Sequence, residues 1–287
     1  MDMAVKDLVR VLAPNPSPLT GPGTNTFVIG AAERVVIDPG PDHPGHLAAV
    51  MEAAGGRVSH ILVTHPHLDH SAGARRLSQM SGAPVLAFGG VEDGRSPVMR
   101  RLAGTGLVGG GDGLDAGFDP DQRLADGALL TTPAGNIEAL HTPGHSGAHL
   151  SFAWRDVVFT GDLVMGWSTT LISPPDGDLT DYFRSLARLE HHGAAMFLPA
   201  HGEPVPDPAR RIAELTTHRR QRTAQILAAL TEAPGDADSL ARRIYDLPPS
   251  LHPAASRNVL AHLIALHALG AVETEREITA RSFFSSA

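Results

Sequence analysis

The stretch that most constrains this chain is "THPHLDHSAG" (64 to 73), which follows the apolar run "ILV". An apolar run of that kind reads as a buried strand, so His65 opens the loop at its end. His65 and His67 alternate around Pro66, and one extended turn can aim both imidazoles the same way. Asp69 and His70 follow as the chain enters the helical pattern "HSAGARRL". Four groups that bind divalent cations thus converge on one strand end. Imidazole with carboxylate suits zinc, and also iron or manganese. The chain has no cysteine, which excludes thiolate metal sites, disulfides and a Cys nucleophile.

Further groups of the same kind lie at other strand ends. "HTPGHS" supplies His145, "FTGD" supplies Asp162 and "PAHG" supplies His201. A glycine beside each allows backbone to pack close to a crowded site. The ordered pattern HxHxDH, TPGH, GD and a final histidine resembles the metallo-β-lactamase fold superfamily, over residues from about 20 to 205. The resemblance implies an α/β fold, an αββα sandwich with its site on one edge of two packed sheets. It also implies two divalent ions, zinc in the first place with iron or manganese as alternatives. His65, His67 and His145 would hold the first ion, Asp69, His70 and His201 the second, and Asp162 would bridge them. Asp38, in "VVIDPG", would orient a ligand histidine, or else simply cap the turn before Pro39. The other eleven histidines, His60, His191 and His192 among them, read as ordinary polar residues.

Around these residues the first 206 positions alternate strand and helix patterns. "TFVIG", "ERVVIDPG", "HILVTH", "APVLAF", "HLSFAW", "DVVFTGD" and "AAMFLPAHG" read as buried strands. "HPGHLAAVMEAAG", "HSAGARRLSQMSG" and "LTDYFRSLARLEHHG" read as helices, two of them closed by glycines suited to helix C-termini. Strands this apolar require cover by helices. The glycine-rich stretch 104 to 122 is expected to be a surface excursion, a plain loop or a lid.

From residue 207 the strand patterns nearly stop, and residues 207–287 are expected to form a second domain. A helix from Pro208 through Leu230, a capped helix in "DADSLARRIYDLPPS", a third closed by Gly270 and a hairpin in "AVETEREITARSF" give the outline of a winged helix. The third helix carries Val259, Leu263 and Leu266 as an apolar stripe widened by Leu260 and Ile264.

The resemblance implies hydrolysis of an ester, thioester, amide or phosphodiester by a hydroxide shared between the metals. Asp69 is both ligand and catalytic group in that scheme. Two ions, two carboxylates and a hydroxide leave the site at about +1, suited to an anionic or carbonyl substrate. "NPSPLTGPGTNTFVIG" and the winged-helix outline resemble the lactamase-like protein 2 branch, whose animal members cleave single-stranded RNA. Asn25 would then lie beside the metals and touch substrate, or else be a turn residue. Against RNA stands the net charge of −8. Within residues 207–287 only "HRRQR" (218 to 222) is a local basic cluster, either a solvated helix face or a set of phosphate contacts from Arg219, Arg220 and Arg222. The competing reading is a glyoxalase-II-like thioesterase or another small-molecule ester or lactone hydrolase. A non-enzymatic winged-helix regulator is a more distant alternative, disfavoured by the complete ligand set. No export signal and no run of roughly 20 apolar residues is found, so a cytoplasmic protein without a membrane span is expected.

Overall fold

The computed structural model describes residues 5–107 and 113–287. Two mixed sheets pack face to face. The first contains β1 (Leu8–Leu12), β2 (Asn25–Ile29), β3 (Arg34–Ile37), β4 (Val58–Leu62), β5 (Val85–Ala87) and β6 (Gln122–Arg123), in that spatial order. Its first three strands pair antiparallel and β3 through β6 pair parallel. The second contains β7 (Leu129–Thr132), β8 (Gly135–His141), β9 (Leu150–Trp154), β10 (Val157–Gly161) and β11 (Met196–Pro199). Here β7 through β10 form an antiparallel meander and β11 joins β10 in parallel.

Alternation along each strand divides its side chains between two cores. Phe27, Ile29, Val35, Ile37 and Leu62 meet Ile137, Phe152, Trp154, Phe159 and Leu198 between the sheets. Val28, Val36 and Ile61 point outward, under Leu47 and Val50 of α1 (Pro44–Ala53) and Leu77 of α3 (Ala74–Ser81); the single turn α2 (Leu68–Ser71) precedes α3. On the opposite face, Leu140, Val158 and Phe197 are covered by Tyr182, Leu186 and Leu189 of α5 (Leu179–His192). The result is the αββα sandwich. The helix stops expected at Gly82 and Gly193 are present, both left-handed at φ of 76° and 73°.

A short helix, α4 (Pro97–Gly104), buries Met99 and Leu102 against the C-terminal part of the chain. There α6 (Pro208–Glu232), α7 (Ala237–Ile244) and α8 (His252–Ala268) precede a minimal wing of β12 (Val272–Glu273) and β13 (Ser285–Ser286). This is the winged helix. The stripe on α8 is buried as its spacing requires, and Leu263 and Val259 are fully enclosed. Asp207 caps α6 by accepting the Arg210 amide, with Pro208 in the first turn. Ile212 and Leu215 of α6 belong to the sandwich core, while Ile226 and Leu230 belong to the C-terminal core. The return strand of the wing lies beyond the expected hairpin segment, and the pairing is two residues long.

The expected excursion over 104 to 122 falls in part, at 108–112, outside the described residues. Its described flanks are largely exposed, as expected of a surface excursion, but are tied down at several points. Leu107 is buried in the C-terminal core. The Leu68 amide donates to Gly113 O at 2.6 Å and the Asp115 amide to Pro66 O at 2.9 Å, so this segment backs the histidine-rich loop. Among the described residues no helix is long and apolar enough to cross a membrane.

Candidate metal centre

The C-terminal ends of β3, β4, β8, β10 and β11 share one edge of the sandwich, and each delivers a polar side chain there. Backbone hydrogen bonds stitch the two sheets together at that edge: Leu150 N to Thr64 O and Asn25 N to Ala200 O, both 2.7 Å. Gly161 (φ 49°) permits a close approach between the sheets. A Cβ at that position would lie 2.5 Å from His149 Nε2 and 2.9 Å from Thr64 Oγ1. At Gly202, beside His201, a Cβ would meet the ring of Trp167 at 2.4 Å.

The structure brings all seven expected metal-binding side chains together. His65 Nε2 and His145 Nε2 stand 3.0 and 3.1 Å from His67 Nδ1. His70 Nε2 and His201 Nε2 stand 3.3 and 3.2 Å from Asp69 Oδ2. Asp162 lies between the two groups, with Oδ1 3.2 Å from His201 Nε2 and Oδ2 3.7 Å from His145 Nε2.

The far nitrogens of four imidazoles are already committed. His145 Nδ1–H donates to Leu171 O at 2.7 Å, and His201 Nδ1–H to Gly23 O at 3.2 Å. His70 Nδ1–H donates to Asp38 Oδ2 at 3.0 Å. The Thr64 hydroxyl donates to the same carboxylate at 2.8 Å, so it accepts from His65 Nδ1–H at 2.9 Å. Each ring therefore turns its Nε2 inward, as the atom left to bind a cation. His65 Nε2 and His145 Nε2 both face His67 Nδ1, and one proton on that atom cannot serve two lone pairs. His70 Nε2 and Asp162 Oδ1 are buried without a hydrogen-bond partner. A buried set of unpaired acceptors is costly unless a cation lies among them. Three groupings have ligand atoms close enough to share an ion: His65, His67 and His145; Asp69, His70 and His201; and His65, His70 and Asp162. The residues fit a dinuclear site.

Protonation divides the same way. Burial, reinforced by neighbouring imidazoles, lowers His65 well below the ordinary histidine value and His67 to about 3. They are neutral and ready to coordinate. Burial acts the same way on His70 and His201, but the carboxylates outweigh it. Asp69, Asp162 and Asp38 raise His70 well above its usual value, and Asp162 with Asp69 takes His201 to about 10. Asp69 and Asp162 are lowered despite burial, by His70 and His201. Positive charge is stabilised on that side of the site, as a proton on His70 and His201 that a bound divalent cation would displace.

Asp38 holds His70 as the resemblance implied, whereas Asn25 takes a different place from the one expected. Asn25 does not face the cleft. It is 1% exposed, and its amide nitrogen donates to Pro199 O at 3.0 Å and Gly202 O at 2.8 Å. It fixes the turn that carries His201 rather than a substrate. Asp38, at φ 50°, accepts from Thr64 N at 2.7 Å besides the two groups above, so its carboxylate links two imidazoles to the backbone. His149, one of the eleven histidines expected to be ordinary polar residues, is fully buried. Its Nε2 accepts the Asp162 amide at 3.3 Å, while its Nδ1–H donates to Thr142 Oγ1 at 3.0 Å. No local feature of "HSGAH" signals this, because the segment is not helical and the partner lies 13 residues away. Among the basic cluster, Arg219 is 2% exposed and Arg222 stacks on Tyr245 at 3.7 Å. Burial rules out Arg219 as a phosphate contact.

With this geometry, the chain belongs to the metallo-beta-lactamase superfamily, whose family model matches residues 19–201. It is a metal-dependent hydrolase of that superfamily. The beta-lactamase associated winged helix domain matches residues 237–281. The beta-lactamase-like protein 2 homolog of Drosophila melanogaster is 29% identical, over 94% of this chain and 90% of its own length. An atrochrysone carboxyl ACP thioesterase of Aspergillus chevalieri is 31% identical, over 79% of this chain and 66% of its own. A metallo-beta-lactamase family protein of Thermus thermophilus shares the fold at a TM-score of 0.79, with 24% identity and 99% of both chains covered. Another solved relative, in a di-iron-bound form, is 27% identical at a TM-score of 0.53, covering 70% of this chain and 96% of that one.

Proposed function

We propose that this chain hydrolyses an acyl compound, a thioester in the first place, at a dinuclear centre held by His65, His67, His145, Asp69, His70, His201 and Asp162. The observation that carries the reading is the set of inward-facing imidazole nitrogens, four of them fixed as Nε2 by hydrogen bonds on the far side of the ring. The histidine and carboxylate donors suit zinc, and also iron or manganese. Divalent cations bound there would supply Lewis acidity and bring the pKa of water toward neutrality. Asp38 and Thr64 keep His65 and His70 in the tautomer that offers Nε2. The Asp69 side chain is 26% exposed, against 12% for Asp162, so Asp69 is the carboxylate placed to accept a hydrogen bond from the attacking water.

For the substrate, the thioesterase relatives support the acyl reading. The alternative, a phosphodiester of single-stranded RNA, loses part of its support with Arg219 buried and Arg222 stacked. A panel of thioester, lactone, phosphodiester and RNA substrates, run with metal-replete protein, tests the choice. Thioester turnover that disappears in Asp69→Ala is the expected outcome. RNA cleavage without thioester turnover would overturn it.

A further inference from the structure

One segment of the centre has no regular structure of its own. Residues 163–172 leave Asp162 at the end of β10 and pass to Leu171, whose carbonyl accepts from His145 Nδ1. Each end of the segment thus sets a metal-binding group. Thr170 Oγ1 also donates back to the carbonyls of Asp162 and Leu163. Backbone outside helix or sheet needs partners from elsewhere, and here they come from the C-terminal helices. On α6, Arg211 donates from Nε to Met165 O at 2.8 Å and from Nη2 to Ser168 O at 2.7 Å. About two turns further along the same helix, Arg219 Nη2 donates to Thr170 O. On α8, Asn258 Oδ1 accepts both the Ile172 amide at 3.0 Å and Arg219 Nη1 at 3.1 Å.

Arg219 is enclosed without a carboxylate among these contacts. Its charge meets carbonyl oxygens and the Tyr182 ring, 5.3 Å away. Enclosing a guanidinium without a counter-ion is costly, and an apolar side chain would pack against Tyr182 more cheaply. Stability therefore does not account for an arginine here. A planar fork that reaches a carbonyl and an amide oxygen at once fixes the geometry of what it holds.

We infer that Arg219 and Asn258 are positioning residues of the metal centre. Through Thr170 and Ile172 they hold the peptide of Leu171 so that its carbonyl keeps His145 in the Nδ1–H tautomer. The winged helix thereby sets the orientation of a metal-binding imidazole it does not touch. The inference rests on the dinuclear reading above for its effect on metal, but not for its effect on His145.

Asn258→Ala and Arg219→Met remove the brace; Asn258→Asp keeps an oxygen for both donors. In metal-free protein, long-range nitrogen–proton NMR of the imidazoles should show His145 as the Nδ1–H tautomer in the parent and in Asn258→Asp. A tautomer mixture is expected in Asn258→Ala and Arg219→Met. With cobalt(II) alone as probe, those two variants should lose tenfold or more in competition against a chelator and shift the visible cobalt band, with Asn258→Asp restoring both. If Arg219→Met does not fold, Asn258→Ala decides. Parental tautomer and parental cobalt spectrum in Asn258→Ala, with only a lower Tm, would overturn the inference and leave a docking role. A parent chain that binds no cobalt would count against the dinuclear reading, while the tautomer result would still decide this one.

Discussion

Asp38→Asn isolates the acceptor on which the inner histidines depend. Asparagine matches aspartate in shape and tolerates a positive φ, so the backbone at 50° adds little strain. Its Oδ1 can still accept the Thr64 amide, now at 2.7 Å. At the other position an NH2 replaces the oxygen that accepts from Thr64 Oγ1 at 2.8 Å and His70 Nδ1 at 3.0 Å. A hydrogen bond to a charged group is worth ~1.5–3 kcal/mol net. If the His70 contact is lost and the Thr64 hydroxyl turns to another acceptor, the centre loses about one such bond. Since ~1.4 kcal/mol is tenfold in an equilibrium constant, metal affinity should fall by roughly 10- to 100-fold, the range expected for a group that orients a ligand. Competition between the protein and a fluorescent chelator for zinc measures this directly, with urea unfolding of the metal-free protein run alongside. Parental affinity at parental stability would refute the reasoning and reduce Asp38 to a turn residue before Pro39.

Gently purified protein should carry two transition-metal ions per chain by elemental analysis, and a chelated sample should regain turnover with zinc, manganese or iron; metal-free protein that stays inert with all three contradicts the site. Asp69→Ala should abolish turnover while circular dichroism and solubility stay at parental levels, because the residue lies at the cleft and outside every apolar cluster. His262, enclosed on α8 with its pKa lowered to about 3 by burial and by Arg219 and Arg222, is held neutral in the fold. Its stabilising contribution is complete above pH ~6.5 and declines as pH falls toward 3, by up to about 5 kcal/mol. The difference in denaturant midpoint between parent and His262→Gln should therefore shrink on acidification, and a difference that is constant with pH would refute it.

Most of the ligand set was legible because its members follow apolar runs, which mark strands buried on both faces; His145, which follows β8, was legible only through the TPGH pattern. Strands buried on one face leave a weaker mark. In β8, Ile137 and Ala139 turn inward while Glu138 turns out, and β7 and β1 are edge strands with exposed side chains. None of the three has a continuous apolar core to notice. His149 was hidden for a related reason: it opens the buried strand run "HLSFAW", and nothing local shows that its ring turns toward Asp162. Arg219 was misplaced because arginines in series on a helix suggest water, and the partners that enclose it are Thr170, 49 residues away, and Asn258, 39 away. Long-range backbone acceptors have no signature in composition or period.

A single rod of 25 residues, α6 spans roughly 37 Å at ~1.5 Å per residue and is rooted in a different core at each end. An unbroken helix is a poor hinge. Opening of the cleft by swinging the C-terminal helices away would require α6 to bend in its middle or to abandon one core. Admission and release of substrate would then fall to side chains and short loops, such as the exposed Trp167 beside Gly202. Recombination with a relative that lacks these helices would likewise have to carry α6 across whole.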